Sequence, residues 1–235
     1  MKQTNLSPAA DNQLNDNQND TPQPAPHRCV HNLIILDESG SMHSIYRPAL
    51  SGVNETLQTI RSAQAGNPNQ EHFVTLVTFD TRPDFRYNEI YHNVEAAKAV
   101  DINEGHYQPN GCTPLYDAMG RAINEMRECS EADDVVLVTI ITDGYENASC
   151  EYSGTAIKAL VEDMRSKGWV FTYIGANQDV EKVADSMSIN NHLAFSADEA
   201  GTAQMFEKES KARKNFFAKV NLMGCFSLQD DYFKD

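Results

Sequence analysis

Several features that would indicate other classes of protein are absent from this 235-residue sequence. No apolar run approaches the ~20 residues that a helix needs to cross a bilayer, so a membrane-spanning protein is not expected. Positive charge is scarce, with 19 Lys and Arg against 34 Asp and Glu and a net charge of −15. Such a chain repels phosphate groups, which argues against nucleic acid or an anionic membrane as the partner. Neither Gly-x-Gly-x-x-Gly nor Gly-x-x-x-x-Gly-Lys-Ser/Thr follows any predicted strand, which argues against nucleotide binding.

The cysteines and histidines indicate the redox state of the thiols and argue against a zinc site. The chain has five cysteines, an odd number, and no Cys-x-x-Cys pair. Lys2 is the only early cation, and no apolar core of a secretory signal follows it. We therefore expect reduced thiols in a cytoplasmic protein. The seven histidines are scattered without the spacing of zinc ligands, so a zinc site is not expected.

Composition divides the chain into a tail, one domain and a short end segment. Residues 1–28 are rich in Asn, Gln, Asp and Pro. Such a segment buries too little apolar surface to offset chain entropy, which predicts a disordered tail. Residues 29–226 are predicted to form one domain that includes a C-terminal helix, and residues 227–235 an acidic tail.

Short apolar runs alternate with amphipathic segments through that domain. Predicted strands cover 30–36, 73–79, 87–91, 135–142, 169–174 and 193–195. Predicted helices cover 47–64, 114–128, 154–166, 179–187 and 198–222. Most of these strands are continuous apolar runs, so helices should cover both faces of their sheet, whereas the polar residues of 87–91 suit a short edge strand. This pattern predicts an α/β fold with a doubly wound, mostly parallel sheet. The charged run at 207–214 in the last helix predicts a solvated face.

Polar side chains that carry oxygen atoms stand at three strand–helix junctions. The segment 37–41, Asp-Glu-Ser-Gly-Ser, follows the apolar run 33–36, and Asp143 follows the strand at 135–142. Thr113 precedes Pro114 at the start of the second helix, where we expect Thr113 to be the cap. Ser and Asp at strand ends often cap the next helix, so the first segment alone fits either a cap or a ligand set.

The carboxyl ends of parallel strands share one edge of a sheet, so these side chains are expected to lie together. They are Asp37, Ser39, Ser41, Thr113 and Asp143. All offer hard oxygen atoms, which suit Mg²⁺, Mn²⁺ or Ca²⁺ better than zinc or copper.

The pattern Asp-x-Ser-x-Ser, then Thr, then Asp, on three loops resembles the metal-ion-dependent adhesion site of the von Willebrand factor type A domain. Thr-Pro-Leu at the second loop and Thr-Asp-Gly at the third also match, and the resemblance covers roughly residues 30 to 195. It implies the doubly wound fold with one antiparallel edge strand. It further implies that Ser39, Ser41 and Thr113 touch a Mg²⁺ ion directly. Asp37 and Asp143 would act through bound waters, with Mn²⁺ or Ca²⁺ as possible substitutes.

The resemblance implies a protein-interaction module in which the ion bridges to a partner protein. Three protein oxygens leave a coordination position that an Asp or Glu of the partner can fill. The residues expected to form the contact rim are Met42, His43, Tyr46, Asn110, Tyr145, Glu146 and Asn147. For each of these, an ordinary surface loop is the competing interpretation. The alternative function is a metal-dependent phosphoesterase, although the motif brings no general base or nucleophile with it.

Overall fold

The computed structural model describes residues 27–82, 84–220 and 232–234. Within this part of the chain, six strands form one sheet: β1 (Arg28–Asp37), β2 (Gln70–Thr81), β3 (Phe85–Glu95), β4 (Val135–Thr142), β5 (Val170–Gly175) and β6 (Asn191–Ala194). The helices are α1 (Tyr46–Gly66), α2 (Leu115–Cys129), α3 (Gly154–Ser166), α4 (Val180–Ser186) and α5 (Glu199–Val220). Short 3₁₀ helices cover Gly40–Ile45 and Ala96–Lys98. The predicted tail at 1–28 lies outside the described residues except for its last two, and most of the predicted acidic tail at 227–235 also lies outside them.

The strand order is β3-β2-β1-β4-β5-β6, and every neighbouring pair is parallel except β2 and β3. The predicted doubly wound sheet with one antiparallel edge strand is therefore confirmed. All eight residues of β4 are buried, as expected for a strand whose two faces are both covered by helices. None of the described helices has an apolar stretch long enough to span a membrane.

Two apolar cores lie on opposite faces of the sheet. One packs beneath α1 and α5 and includes Val53, Leu57 and Phe206. The other packs beneath α2, α3 and α4 and includes Met119 and Val161. This arrangement leaves the carboxyl ends of β1 and β4 side by side in the middle of the sheet, where the order of connections reverses.

The edge strand β3 pairs irregularly with β2. The register shifts between Val74 and Val77, which marks a bulge. Asn93 in β3 has a φ of 45°, and its backbone N–H donates to Thr75 Oγ1 at 2.9 Å. The Asn93 side chain also bonds to His31 Nδ1 at 2.9 Å, so side chains from β1 and β2 hold the irregular segment in place.

The prediction of a solvated face along 207–214 was wrong for Glu209 and Arg213, whose side chains are fully buried. Arg213 Nε donates to Glu209 Oε1 at 2.7 Å, and its other nitrogens donate to Asn32 Oδ1 at 2.9 Å and Thr139 Oγ1 at 2.8 Å. The polar acceptors Asn32 and Thr139 stand on β1 and β4, the two central strands of the sheet. The pair is buried because the sheet supplies acceptors that are distant in sequence.

Candidate metal centre

Two of the three loops that the motif predicts join directly through side-chain bonds. Ser41 Oγ, after β1, donates to Asp143 Oδ1, after β4, at 2.5 Å. The Oγ atoms of Ser39 and Ser41 lie 3.2 Å apart. A β-carbon placed on Gly144 would lie 3.7 Å from Ser41 Oγ and 3.9 Å from Thr113 Oγ1. The hydroxyls of Ser39, Ser41 and Thr113 and the Asp143 carboxylate thus lie near one another at the carboxyl edge of the sheet.

Asp37 is fully buried and uses both carboxylate oxygens to fix its surroundings. Its Oδ1 accepts from the Ser39 N–H at 2.7 Å, and its Oδ2 accepts from Thr142 Oγ1 at 2.6 Å. Burial raises the pKa of Asp37 to about 7, against the opposing effect of these hydrogen bonds. The carboxylate therefore ties the start of the β1 loop to the end of β4 and holds Ser39 in place.

Asp143 is also buried, but only one of its oxygens has a partner. Oδ1 accepts from Ser41, whereas Oδ2 has no hydrogen-bond partner among the described residues. Burial raises the pKa of Asp143, because ionising this carboxyl group in the interior is unfavourable. Buried polar atoms are rarely left unsatisfied, and a cation beside Oδ2 would compensate for the lost solvation. The residues present thus fit a divalent metal ion held by hard oxygen atoms.

Hydrogen bonds to backbone groups of residues 111–113 hold the Thr113 loop against the other two loops. Thr113 N–H donates to Asn147 Oδ1 at 2.9 Å, and Asn147 N–H donates to the Thr113 carbonyl at 3.1 Å. Gly111 has a φ of +72°, and a β-carbon on it would lie 2.4 Å from the Thr81 carbonyl oxygen. Its own carbonyl accepts from Gly40 N–H at 3.0 Å. Gly111 is required here because only a residue without a side chain fits this approach to β2.

The expected role of Thr113 as the cap of α2 was wrong. The helix begins at Leu115, and the Pro114 carbonyl accepts from the Ala118 N–H at 3.1 Å, so Pro114 is the capping residue. The free N–H groups of the first turn find acceptors on the β4–α3 loop: Tyr116 N–H donates to Glu146 Oε2 at 2.9 Å, and Asp117 N–H donates to Ser149 Oγ. Because that loop caps α2, the Thr113 hydroxyl is not used as a helix cap.

The predicted rim residues differ in exposure. His43, Asn110, Tyr145 and Asn147 are exposed around the three loops, and Tyr46 is half-buried. Met42 is completely buried, so its prediction as a contact residue was wrong. The 3₁₀ helix at Gly40–Ile45 points the Met42 side chain into the core beneath α1.

Glu146 is half-buried, and its carboxylate accepts several hydrogen bonds from neighbouring residues of the protein. Besides the Tyr116 N–H, it accepts from the N–H groups of Ala148 and Ser149, at 2.8 and 2.7 Å, and from Ser149 Oγ at 2.7 Å. These bonds shape the β4–α3 loop and cap α2. Little of its hydrogen-bonding capacity is left for a partner.

Sequence reasoning missed an ionic cluster beside the centre, in which the buried Glu38 pairs with two half-buried arginines. Glu38 accepts from Thr78 Oγ1 and Gln108 N–H, both at 2.5 Å, and from Arg82 and Arg86, both at 3.1 Å. Arg82 also lines an open cleft of about 330 Å³ with His43, Tyr46, Tyr107, Gln108, Pro109 and Asn110. The signal in the sequence is an acid inside the motif and two arginines in the β2–β3 hairpin, but only the fold brings them together.

Comparison with known proteins agrees with the fold. The model of the von Willebrand factor type A domain family matches residues 33–213, which extends into α5. No curated protein matches the sequence. Many solved structures are similar to the fold. A von Willebrand factor type A protein from Catenulispora acidiphila aligns with a TM-score of 0.53 at 14% identity, over 80% of this chain and 43% of that one.

Two further similar structures are those of a metal-loaded protein and of an adhesin. The manganese-loaded TRAP protein of Plasmodium vivax aligns with a TM-score of 0.53 at 14% identity, over 76% of this chain and 72% of that chain. The pilus adhesin SpaC of Lactobacillus rhamnosus GG aligns with a TM-score of 0.58 at 14% identity, over 81% of this chain and 31% of that chain. This chain spans less than half of the Catenulispora and Lactobacillus proteins. At these identities the likeness concerns the fold alone.

Proposed function

The chain belongs to the von Willebrand factor type A domain family, and on that premise we propose that it is a protein-interaction module whose binding depends on a divalent metal ion. The observation that carries the proposal is the buried Oδ2 atom of Asp143, which lacks a partner among the described residues and belongs to a group that includes the hydroxyls of Ser39, Ser41 and Thr113. A cation beside Oδ2 would satisfy the carboxylate and would use the hydroxyls as further ligands.

We assign the ligand roles from the way each oxygen is used. Ser39, Ser41 and Thr113 are proposed to bind the ion directly. Asp37 has both oxygens engaged with Ser39 and Thr142, which supports a positioning role behind the ligands. The hard donors favour Mg²⁺, with Mn²⁺ or Ca²⁺ as substitutes, and the bound ion supplies a positive charge that attracts a carboxylate.

The proposed partner is a protein that presents an Asp or Glu to the ion. The exposed rim would contact the surroundings of that residue: His43, Asn110, Tyr145 and Asn147. The net charge of −15 repels an acidic partner at a distance, but physiological salt screens that repulsion beyond ~8 Å, whereas the ion acts at contact. The TRAP protein, whose fold is similar, is manganese-loaded in its crystal structure, which supports a metal-bearing site of this kind.

A binding role is favoured over phosphoester hydrolysis by the bonds of the donor groups. Among the described residues, the hydroxyls and carboxylates of the centre bond to one another, to Thr142 and to backbone groups, with no His, Lys or Cys side chain bonded to them. A general base or a nucleophile would have to come within hydrogen-bond reach of the substrate. We therefore expect no metal-dependent turnover of phosphoesters.

The test has a metal arm and a partner arm. In the first arm, the chelator-treated protein is titrated with Mg²⁺ or Mn²⁺ in a calorimeter, and one site is expected. Thr113→Ala removes a proposed ligand and should weaken binding, whereas the matched variant Thr113→Ser keeps the hydroxyl and should retain it. Equal affinities of wild type and Thr113→Ala would refute the ligand assignment.

In the partner arm, immobilised wild type, Thr113→Ala and Thr113→Ser are exposed to native extract with Mg²⁺ or with EDTA. A specific partner should be retained by wild type and Thr113→Ser with Mg²⁺ only. Its retention should then disappear when a single Asp or Glu of that partner is replaced. Identical protein sets with Mg²⁺ and with EDTA would refute metal-bridged binding.

A further inference from the structure

A second group of potential metal ligands lies at the opposite edge of the sheet. The side chains of His27, Cys29 and Glu71 each place one ligand atom within 4.8 Å of the other two. Among the described residues, this is the one group of three or more His, Cys, Asp or Glu side chains that meets such a limit. The candidate centre at Asp37 is at the carboxyl end of β1, whereas this group is at its amino end.

Strand geometry explains why these three side chains meet. Cys29 on β1 stands directly opposite Glu71 on β2 in the parallel register. His27 precedes Cys29 by two residues, and residues two apart along an extended chain point to the same face. The cluster is accessible to an ion, because His27 is exposed and the other two residues are half-buried.

We propose that His27, Cys29 and Glu71 form a zinc site. A nitrogen, a sulfur and a carboxylate oxygen are the donors that Zn²⁺ uses in proteins, and three protein ligands leave a fourth position for water or another group. A thiolate is a poor ligand for Mg²⁺, which prefers oxygen donors. The two ends of β1 would therefore select different metals.

The charges around Cys29 favour a cation. Burial raises the pKa of the Cys29 thiol, and the carboxylates of Asp134 and Glu71 raise it further. Asp134 is held in place by His31, whose Nε2 lies 3.0 Å from Asp134 Oδ2. Two carboxylates near one sulfur create a negative potential that a divalent ion would neutralise, and the ion would displace the thiol proton.

A metal ion at this site would link the residue before β1 to β2 and so stabilise the start of the domain. His27 precedes the first residue of β1, and a bound ion would tie it to Glu71 on β2 in addition to the strand pairing. The ten residues of β1 place this site about 30 Å from the Asp37 loop at ~3.3 Å per residue. Zinc binding and the proposed metal-dependent partner binding can thus be tested separately.

The test uses Co²⁺ as a spectroscopic substitute for Zn²⁺ in the reduced 235-residue chain. A thiolate–Co²⁺ charge-transfer band should appear with one equivalent of Co²⁺, should vanish on addition of Zn²⁺, and should withstand excess Mg²⁺. Cys29→Ser should abolish the band. His27→Ala and Glu71→Gln should weaken Co²⁺ affinity by about tenfold or more, since even changes behind the ligands cost that much.

Two control variants test whether the band arises from this site. Cys129 also has a histidine neighbour, with its Sγ 3.5 Å from His92 Nε2, but no third ligand completes that pair in the described structure, so Cys129→Ser should keep the band. Thr113→Ala, at the other edge, should also keep it. Absence of the band in the wild type, its persistence in Cys29→Ser, or its loss in Cys129→Ser would each overturn the proposal.

Discussion

Asp37 and Asp143 are buried carboxylates of the same candidate centre, and their environments assign them different tasks. Both oxygens of Asp37 accept hydrogen bonds that hold the β1 loop and the end of β4. Asp143 has one oxygen bonded to Ser41 and one without a partner among the described residues. Replacing Asp37 should therefore disturb the fold as well as the site, whereas replacing Asp143 addresses the site more selectively.

Asp143→Asn should have opposite effects on stability and on metal binding. The amide oxygen of Asn can still accept from Ser41. The variant also removes a carboxyl group that is costly to ionise in the interior, as its raised pKa indicates. We expect the free energy of unfolding in EDTA to rise by about 1 kcal/mol and the affinity for Mg²⁺ to fall. Urea unfolding with EDTA and with Mg²⁺ measures both effects. A variant that is less stable than the wild type in EDTA would contradict this reasoning.

His72 should make the protein less stable in acid. Burial, followed by the charge of Arg213, lowers the pKa of His72 to about 4. The unfolded chain takes up the proton near pH 6.5 and the folded chain only near pH 4, so the free energy of unfolding falls as pH drops through this window. From pH 7 to 4.5 the loss should be about 2 to 3 kcal/mol.

The variant His72→Gln isolates this effect from the titration of carboxyl groups. The difference in unfolding free energy between wild type and His72→Gln, measured at about pH 7 and about pH 4.5, should change by that amount in favour of the variant. A difference that is constant with pH would show that His72 does not carry the proton linkage.

At the scale of elements, α1 and α5 approach each other closely at Gly52. A β-carbon placed there would lie 1.9 Å from Cδ2 of Phe206. Gly52→Ala should therefore lower the free energy of unfolding by about 1–3 kcal/mol, because overpacking outweighs the better helix propensity of Ala. Gly66→Ala, also in α1, meets nothing within 4 Å and should be neutral or slightly stabilising. Thermal unfolding of both variants tests the contact, and equal melting temperatures would disprove it.

The buried pair of Arg213 and Glu209 couples α5 to the centre of the sheet. Arg213→Met would leave Glu209 charged and buried, which should cost about 3–5 kcal/mol of unfolding free energy. Adding Glu209→Leu removes the unpaired charge and should recover much of that loss. Denaturant unfolding of the two single variants and the double variant gives the coupling energy. Additive losses would mean that the pair does not act as a unit.

Local patterns predicted the elements well, and distant contacts account for what they missed. The strand at 135–142 and the helix at 154–166 were predicted to the residue, because apolar runs and helical periodicity are local signals. The buried state of Arg213 depends on Asn32, which lies 181 positions away in the sequence. The cap of α2 depends on Glu146, 30 positions from Tyr116. No pattern within a single segment carries such information.

In the candidate centre, too, some features follow from local sequence patterns and others only from the fold. Its five motif residues were identified from the sequence, and the fold places them on adjoining loops. Met42 was assigned to the surface because it follows the motif, and only the 3₁₀ turn reveals that it points inward. The cluster at His27 escaped notice because its third member comes from a neighbouring strand rather than from a regular spacing.

For the whole molecule, metal binding should appear as added stability. An ion that binds only the folded protein raises the unfolding free energy by about 2.7 kcal/mol when present at about 100 times its dissociation constant. Mg²⁺ should therefore raise the melting temperature of wild type and of Thr113→Ser, but have little effect on Thr113→Ala. Scans with Mg²⁺ and with EDTA provide the measurement. An equal rise in Thr113→Ala would place the stabilising ion elsewhere.

The irregular edge strand β3 has a consequence for self-association. An open sheet edge can recruit a strand from another copy of the chain, which begins aggregation. The bulge of β3 between Glu89 and Val94, opposite Val74 and Val77 of β2, includes the left-handed Asn93. It twists β3 and breaks the even spacing of hydrogen-bonding groups that a recruited strand needs. We therefore expect the bonds of Asn93 to Thr75 and His31, which hold this shape, to limit self-association through β3. Their loss would first be seen as fibril or precipitate formation rather than as a change in binding.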